Sequence, residues 1–187
     1  MLRDKYKVRH PIFVEDLTPE ERQELEHLII TNEVLKYEDN IYYFIGFSHL
    51  NNPPMNVMPV IARRYLDNDT GFYSGLTLLN RSGVSTQMPN LFDITTNNTE
   101  EDKEVVVGGK RLRLQKLPVE ITKENIHHLQ VLDLLDTIAS WSAQLDAGER
   151  KALTTYIESK GLTIAGLQPY IGLYLDAKKT IKEVGLT

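Results

Sequence analysis

The chain of 187 residues contains no cysteine. That excludes a disulfide framework, thiol catalysis and Cys-ligated zinc, and it fits a reducing compartment such as the cytoplasm. It also has no net positive charge: 21 Lys+Arg stand against 26 Asp+Glu, a formal charge of -5. A nucleic-acid binder driven by global charge is therefore excluded, and only local basic patches remain for that chemistry. No run approaches the ~18 uninterrupted apolar residues of a membrane span, and the start Met1–Lys7 lacks the apolar stretch of a signal peptide. Hydrophobic residues at 41% and charged residues at 25% match an ordinary globular chain. The expectation is a soluble cytoplasmic protein of one ordinary domain or two small ones, without a membrane contact.

Catalytic signatures are equally scarce. The histidines are His10, His27, His49, His127 and His128, and none sits in a His-Glu-x-x-His frame. Ser74-Gly75 and Ser82-Gly83 lack the Gly-x-Ser-x-Gly elbow that exposes a nucleophilic serine. No glycine-rich loop of the phosphate-cradling kinds occurs, and Asp93 stands alone in Phe92-Asp93-Ile94 where magnesium-dependent nucleotidyl transfer needs paired carboxylates. These absences point to a non-enzymatic role with no cofactor and no metal.

What is present is local structure. Arg3, Lys5, Lys7 and Arg9 alternate, so an extended N-terminal arm would line them along one side. Thr18-Pro19-Glu20-Glu21 is a capping box with proline at the first helical position, and Leu25, Leu28 and Ile29 continue it as a short amphipathic helix ending near Asn32. Val34–Tyr37, the polar turn Glu38-Asp39-Asn40 and Ile41–Ile45 read as a hairpin. Helix plus two-stranded ribbon is half of a winged helix. Ser48–Pro59, with Asn51-Asn52-Pro53-Pro54, reads as a linker, dividing the chain into parts spanning 1–47 and 55–187.

Beyond the linker, Val60–Leu66 predicts a short helix with Arg63 and Arg64 outside. Asp69-Thr70 would cap a second helix carrying Tyr73, Leu76, Leu79 and Asn80, stopped by Gly83. After Pro89 the period changes to two: Leu91–Thr96 is a strand, and Glu104–Val107, Gly108-Gly109 and Lys110–Lys116 form a tight hairpin. On its second strand Leu112 and Leu114 face one way and Arg111, Arg113 and Gln115 the other. Three helical stretches follow: Asn125–Leu145 with Trp141 inside it, Gly148–Ser159, and Thr163–Val184 with breaks expected near Gly166 and Pro169.

Basic residues are the best functional lead, because clustered Lys and Arg contact phosphates whatever the overall charge. The candidates are Lys36 and Tyr37 on the first hairpin, Arg63 and Arg64, and Lys110, Arg111 and Arg113 on the second. Their plain alternative is a solvated outer face that carries Arg to protect a sheet edge. The N-terminal helix argues the other way, since it carries Glu20, Glu21, Glu24 and Glu26 against only Arg22 and His27. Carboxylates repel phosphates, so such a helix suits a dimer contact or a basic protein surface.

One segment carries a family likeness. Leu78-Leu79-Asn80-Arg81-Ser82-Gly83-Val84-Ser85-Thr86-Gln87-Met88-Pro89 resembles the A-L-N-x-L-G-L-S-T-Q-x-P stretch of AbiEi-like antitoxins, the regulatory halves of bacterial type IV toxin–antitoxin pairs. In both, a short strand, a hairpin and a helix follow in that order, and the likeness covers about residues 55–140. Asn80, Gly83, Ser85, Thr86, Gln87 and Pro89 carry the motif. Gly83 suits a left-handed helix end, and Ser85 or Thr86 would satisfy the freed backbone groups. The resemblance implies an α+β protein: a reduced winged-helix-like module, then an antitoxin-like domain with a small antiparallel sheet and C-terminal helices. It implies an abortive-infection (phage-defence) regulator whose partners are promoter DNA and a nucleotidyltransferase-like toxin. The residues by themselves leave a rival open, a protein-interaction module without DNA binding.

Overall fold

The computed structural model describes residues 1–46, 54–140 and 145–183, so His49, Trp141 and Val184 lie outside the described residues. The chain separates into two units, Met1–Arg63 and Arg64–Thr187. The division falls inside a helix, α3 (Met58–Tyr65), a few residues past the linker read from the sequence.

In the first unit the N-terminal residues do not form an extended arm. Leu2–Lys5 is a single helical turn, α1, because Leu2 is fully buried and its amide donates to Glu24. Arg3 pairs with Glu33, and Lys5 pairs with Glu21 at 2.8 Å. A short strand follows, β1 (Pro11–Phe13), and then α2 (Pro19–Ile30). Its capping box is complete: the Glu21 amide donates to Thr18 Oγ1, and the Thr18 amide donates to the Glu21 carboxylate. β2 (Val34–Glu38) and β3 (Ile41–Phe44) form the expected hairpin, with Tyr37 at a register shift and Asn40 taking a positive φ in the turn. β1 pairs antiparallel with β3, giving a three-stranded sheet in the order β1-β3-β2. Leu2, Ile12, Leu17, Leu25, Leu28, Val34 and Phe44 make its core.

The second unit departs from the sequence expectation at its start. Asp69-Thr70 does not cap a helix: Asn68 and Asp69 both adopt left-handed φ, and the turn Asp67–Asp69 leads into a strand, β4 (Gly71–Tyr73). Tyr73 therefore belongs to a strand, and the helix begins later, as α4 (Gly75–Arg81) with Ser74 at its N-cap. β5 (Phe92–Thr96), β6 (Lys103–Val107) and β7 (Lys110–Gln115) complete a sheet ordered β4-β5-β7-β6. The β6–β7 turn has positive φ at both Gly108 and Gly109, as its sequence predicts.

The sheet is not purely antiparallel. β7 pairs parallel with β5, because the β6–β7 hairpin places β7, not β6, beside β5.

α5 (Ile126–Ser140) is buried along most of its circumference, through Ile126, Leu129, Val131, Leu132, Leu134, Leu135 and Ile138. A helix that is apolar almost all round is a central one. α6 (Ala147–Ser159) opens on a second capping box, Asp146 with Glu149. The predicted break in the last helical stretch is present: α7 (Ile164–Leu167) and α8 (Ala177–Glu183) are separate. α4, α5, α6 and the C-terminal segments share one core with Phe72, Val84, Ile121, Leu153, Leu167 and Ile181.

Candidate functional site

The basic residues singled out in the sequence are divided between the two units. Lys36 and Tyr37 lie on β2, one edge of the first sheet. Arg63 lies against Glu15 and Asp16, which directly follow β1 at the opposite edge. Arg64, Lys110, Arg111 and Arg113 belong to the second unit.

Several of these cations also have carboxylate partners. Lys36 Nζ is 2.7 Å from Asp39 Oδ1, and the Arg63 guanidinium, 2.8 Å from Glu15, also stacks 4.3 Å from the Phe13 ring centroid. The Arg63 hydrogen bond holds the Asp16 carboxyl below its ordinary range. Arg111 is 2.9 Å from Glu104, and Arg113 is 3.4 Å from Asp93. Lys110 lies 5.9 Å from the centre of the Phe92 ring. The exposed pairs, Lys36–Asp39 and Arg111–Glu104, contribute about 0–1 kcal/mol each, so a phosphate can displace them at small cost.

The family-motif segment is built as a helix end followed by an exposed loop. Gly83 takes φ +77, which a side chain would oppose, and the Ser82 and Gly83 amides donate to Leu78 and Asn80 carbonyls. Asn80 Nδ2 donates to the Ser85 carbonyl, and Ser85 Oγ accepts from the Gln87 amide. Asn80, Gly83 and Ser85 thus shape the turn. Thr86, Gln87 and Met88 are exposed, Met88 by 76%, while Pro89 is half-buried. The motif is architectural at its start and open to solvent at its tip.

A second constellation escapes sequence reasoning. Asp93, solitary in its strand, shares the neighbourhood of the Ser74-Gly75 turn with Asp133 of α5. The Gly75 amide donates to Asp133 Oδ2 at 2.7 Å, and a Cβ on Gly75 would stand 2.9 Å from Asp93 Oδ2. The Asp93 amide donates to Thr77 Oγ1, and the Ser74 amide donates to the Asp93 carbonyl. Asp136, one turn along α5, accepts from the Asp176 amide.

Burial pushes the Asp133 carboxyl up to about 7, opposed by the Gly75 amide and reinforced by the charges of Asp136 and Asp93. Burial also raises Asp93, against the pull of Arg113. Tyr156 is pushed up to about 12 and Tyr174 further, chiefly by burial, with the Asp133 charge adding to both. The signal available in the sequence was two aspartates three apart inside a helix that is apolar almost all round, a place where a carboxylate is costly.

Among the described residues, no group of three or more His, Asp or Glu side chains is arranged to hold a metal ion. His127 is exposed and bonded to Gln130, while His128 is half-buried beside the Tyr170 ring, so the adjacent histidines do face different surroundings. No helix among these residues is long and apolar enough to cross a membrane. No protein-family model matches the sequence, and no curated protein matches it.

Proposed function

We propose that this chain is a non-catalytic regulator of the AbiEi-like antitoxin kind, acting by binding promoter DNA through basic residues of both units, a nucleotidyltransferase-like toxin as protein partner, or both. The observation that carries the reading is the layout of the first unit. Helix, strand, helix and hairpin follow in order, with β1 pairing back onto β3 beside α2. We read this arrangement as a winged helix reduced by one helix. The motif Asn80–Pro89 is followed by β5, the β6–β7 hairpin and α5, an order that supports the reading.

Burial and pairing also soften the electrostatic objection to α2. Glu21 is paired with Lys5, and Glu24 accepts the Leu2 amide, so both turn toward α1. The exposed residues of α2 include Glu20 and Glu26 but also Arg22, Gln23, His27 and Ile30. That mixed surface repels phosphate less than the bare count of glutamates suggests.

Mobility-shift titrations of the full chain on its own upstream DNA at two salt concentrations test the reading. A shift that weakens with salt is expected, and Lys36→Ala or Arg111→Ala should lower affinity and flatten the salt slope by roughly 1 each. Absence of any shift at either concentration would remove the DNA limb.

A second reading, a protein-interaction module without DNA binding, is favoured by the carboxylate partners of Lys36, Arg63, Arg111 and Arg113. Capture of the neighbouring gene product, lost on replacing the exposed Glu20 and Glu26 with Lys while no DNA shift is seen, would select it.

A further inference from the structure

Two carboxyl groups from different elements converge on one glycine, and the cations available do not match them. Asp133 of α5 takes the Gly75 amide at 2.7 Å, while Asp93 Oδ2 of β5 lies 2.9 Å from where a Gly75 Cβ would stand. Asp93 is 6% exposed, and its Oδ1 is buried without a hydrogen bond. Among the described residues, the cation paired with it is Arg113, 3.4 Å away, half-exposed and shared with Glu104 of β6 at 4.0 Å.

Among the described residues, the other charges acting on Asp133 are negative. Asp136 on its own helix adds a negative one. Tyr156 of α6 and Tyr174, in the segment before α8, are neutral phenols that feel the Asp133 charge, and the Tyr174 hydroxyl is buried without a hydrogen-bond partner among the described residues. The Gly75 amide serves Asp133 and the Leu76 amide serves Asp93, but charging both carboxyls in this space still leaves two like charges with one half-exposed cation.

We propose that the Gly75 turn is a proton-linked site: folding loads one proton onto the Asp93–Asp133 pair, and losing it lowers the stability of the second unit. The burial-raised Asp133 carboxyl, about 7 in the fold, agrees with this arrangement. The native state then holds more protons than the unfolded chain from the ordinary aspartate range, about 4, up to about 7. Its stability falls as pH rises through that window. One linked proton raises the unfolding constant by at most about tenfold per pH unit there, and the effect levels off above the folded value.

Urea unfolding of the full chain at pH steps from 5 to 8, wild type against Asp133→Asn, tests the linkage. Asparagine keeps an oxygen for the Gly75 amide but cannot ionise. The wild-type unfolding constant should climb relative to the variant by several-fold to tenfold per unit between pH 5 and 6.5, then run parallel to it above about 7.5. Carbon-13 NMR titration of the wild-type aspartate carboxyls gives a reading that does not depend on the variant folding. One carboxyl of the pair should titrate near neutrality. Parallel pH profiles for the two proteins, or aspartates that all titrate below pH 5, would overturn the proposal.

Discussion

Replacing Gly75 by alanine probes the geometry on which the buried carboxyl site depends. Gly75 has φ +53, and an alanine forced into the left-handed region costs roughly 1–2 kcal/mol. Its Cβ would then lie 2.9 Å from Asp93 Oδ2 and 3.2 Å from Asp93 Cγ, inside van der Waals contact. Asp93 is 6% exposed and has little room to retreat, so the crowding adds about 1–3 kcal/mol, as overpacked sites do.

Gly83→Ala is the matched control. Its φ is +77, but nothing lies within 4 Å of the added carbon, so only the backbone cost remains. Chemical denaturation of both variants at one pH should therefore give a loss of about 2–5 kcal/mol at Gly75 and about 1–2 kcal/mol at Gly83. Equal losses would show that the Asp93 carboxyl does not press on this turn, and the site would lose its geometric basis.

In the first unit, Thr18→Ala removes the hydroxyl that accepts the Glu21 amide and should destabilise that unit by about 1 kcal/mol in urea unfolding. Glu21 remains held by Lys5, so a loss much above 2 kcal/mol would mean the cap does more than close α2. In the second unit, Leu132→Ala empties a fully buried position on α5 and should cost about 2–5 kcal/mol by thermal or chemical unfolding. A loss under 1 kcal/mol would contradict the central placement of that helix.

Much of the local architecture was legible because it is written in neighbouring residues. Thr18-Pro19-Glu20-Glu21 announces a helix start, since the reciprocal bonds of a capping box span only three residues. Gly108-Gly109 announces a tight turn because both positions need positive φ. Leu112 and Leu114 are buried and Arg111 and Arg113 exposed, following the two-residue period of a strand.

Signals of the same kind misled at Asp69-Thr70. Polar residues before an apolar stretch resemble a helix cap, but the left-handed Asn68 and Asp69 make a turn, and the three residues that follow are held as a strand by pairing with β5. No local preference of Gly71-Phe72-Tyr73 encodes that pairing.

The candidate sites divide along the same line. Composition excluded cysteine chemistry and a charge-driven nucleic-acid binder, and Gly83 and Ser85 suggested the turn they build, because each acts on backbone within a few positions, while the Asn80 contact to the Ser85 carbonyl came only with the structure. Which cations meet which carboxylates depended on packing: Arg63 reaches Asp16, 47 positions away in the chain. The parallel partnership of β5 with β7 likewise reflects how a hairpin docks on a sheet edge, which no strand records in its own alternation. So it is with Asp93 and Asp133. Each looks ordinary in its own element, and only the docking of α5 and β5 on one glycine turn brings the two carboxyls together, because desolvation and charge repulsion act through space and not along the chain.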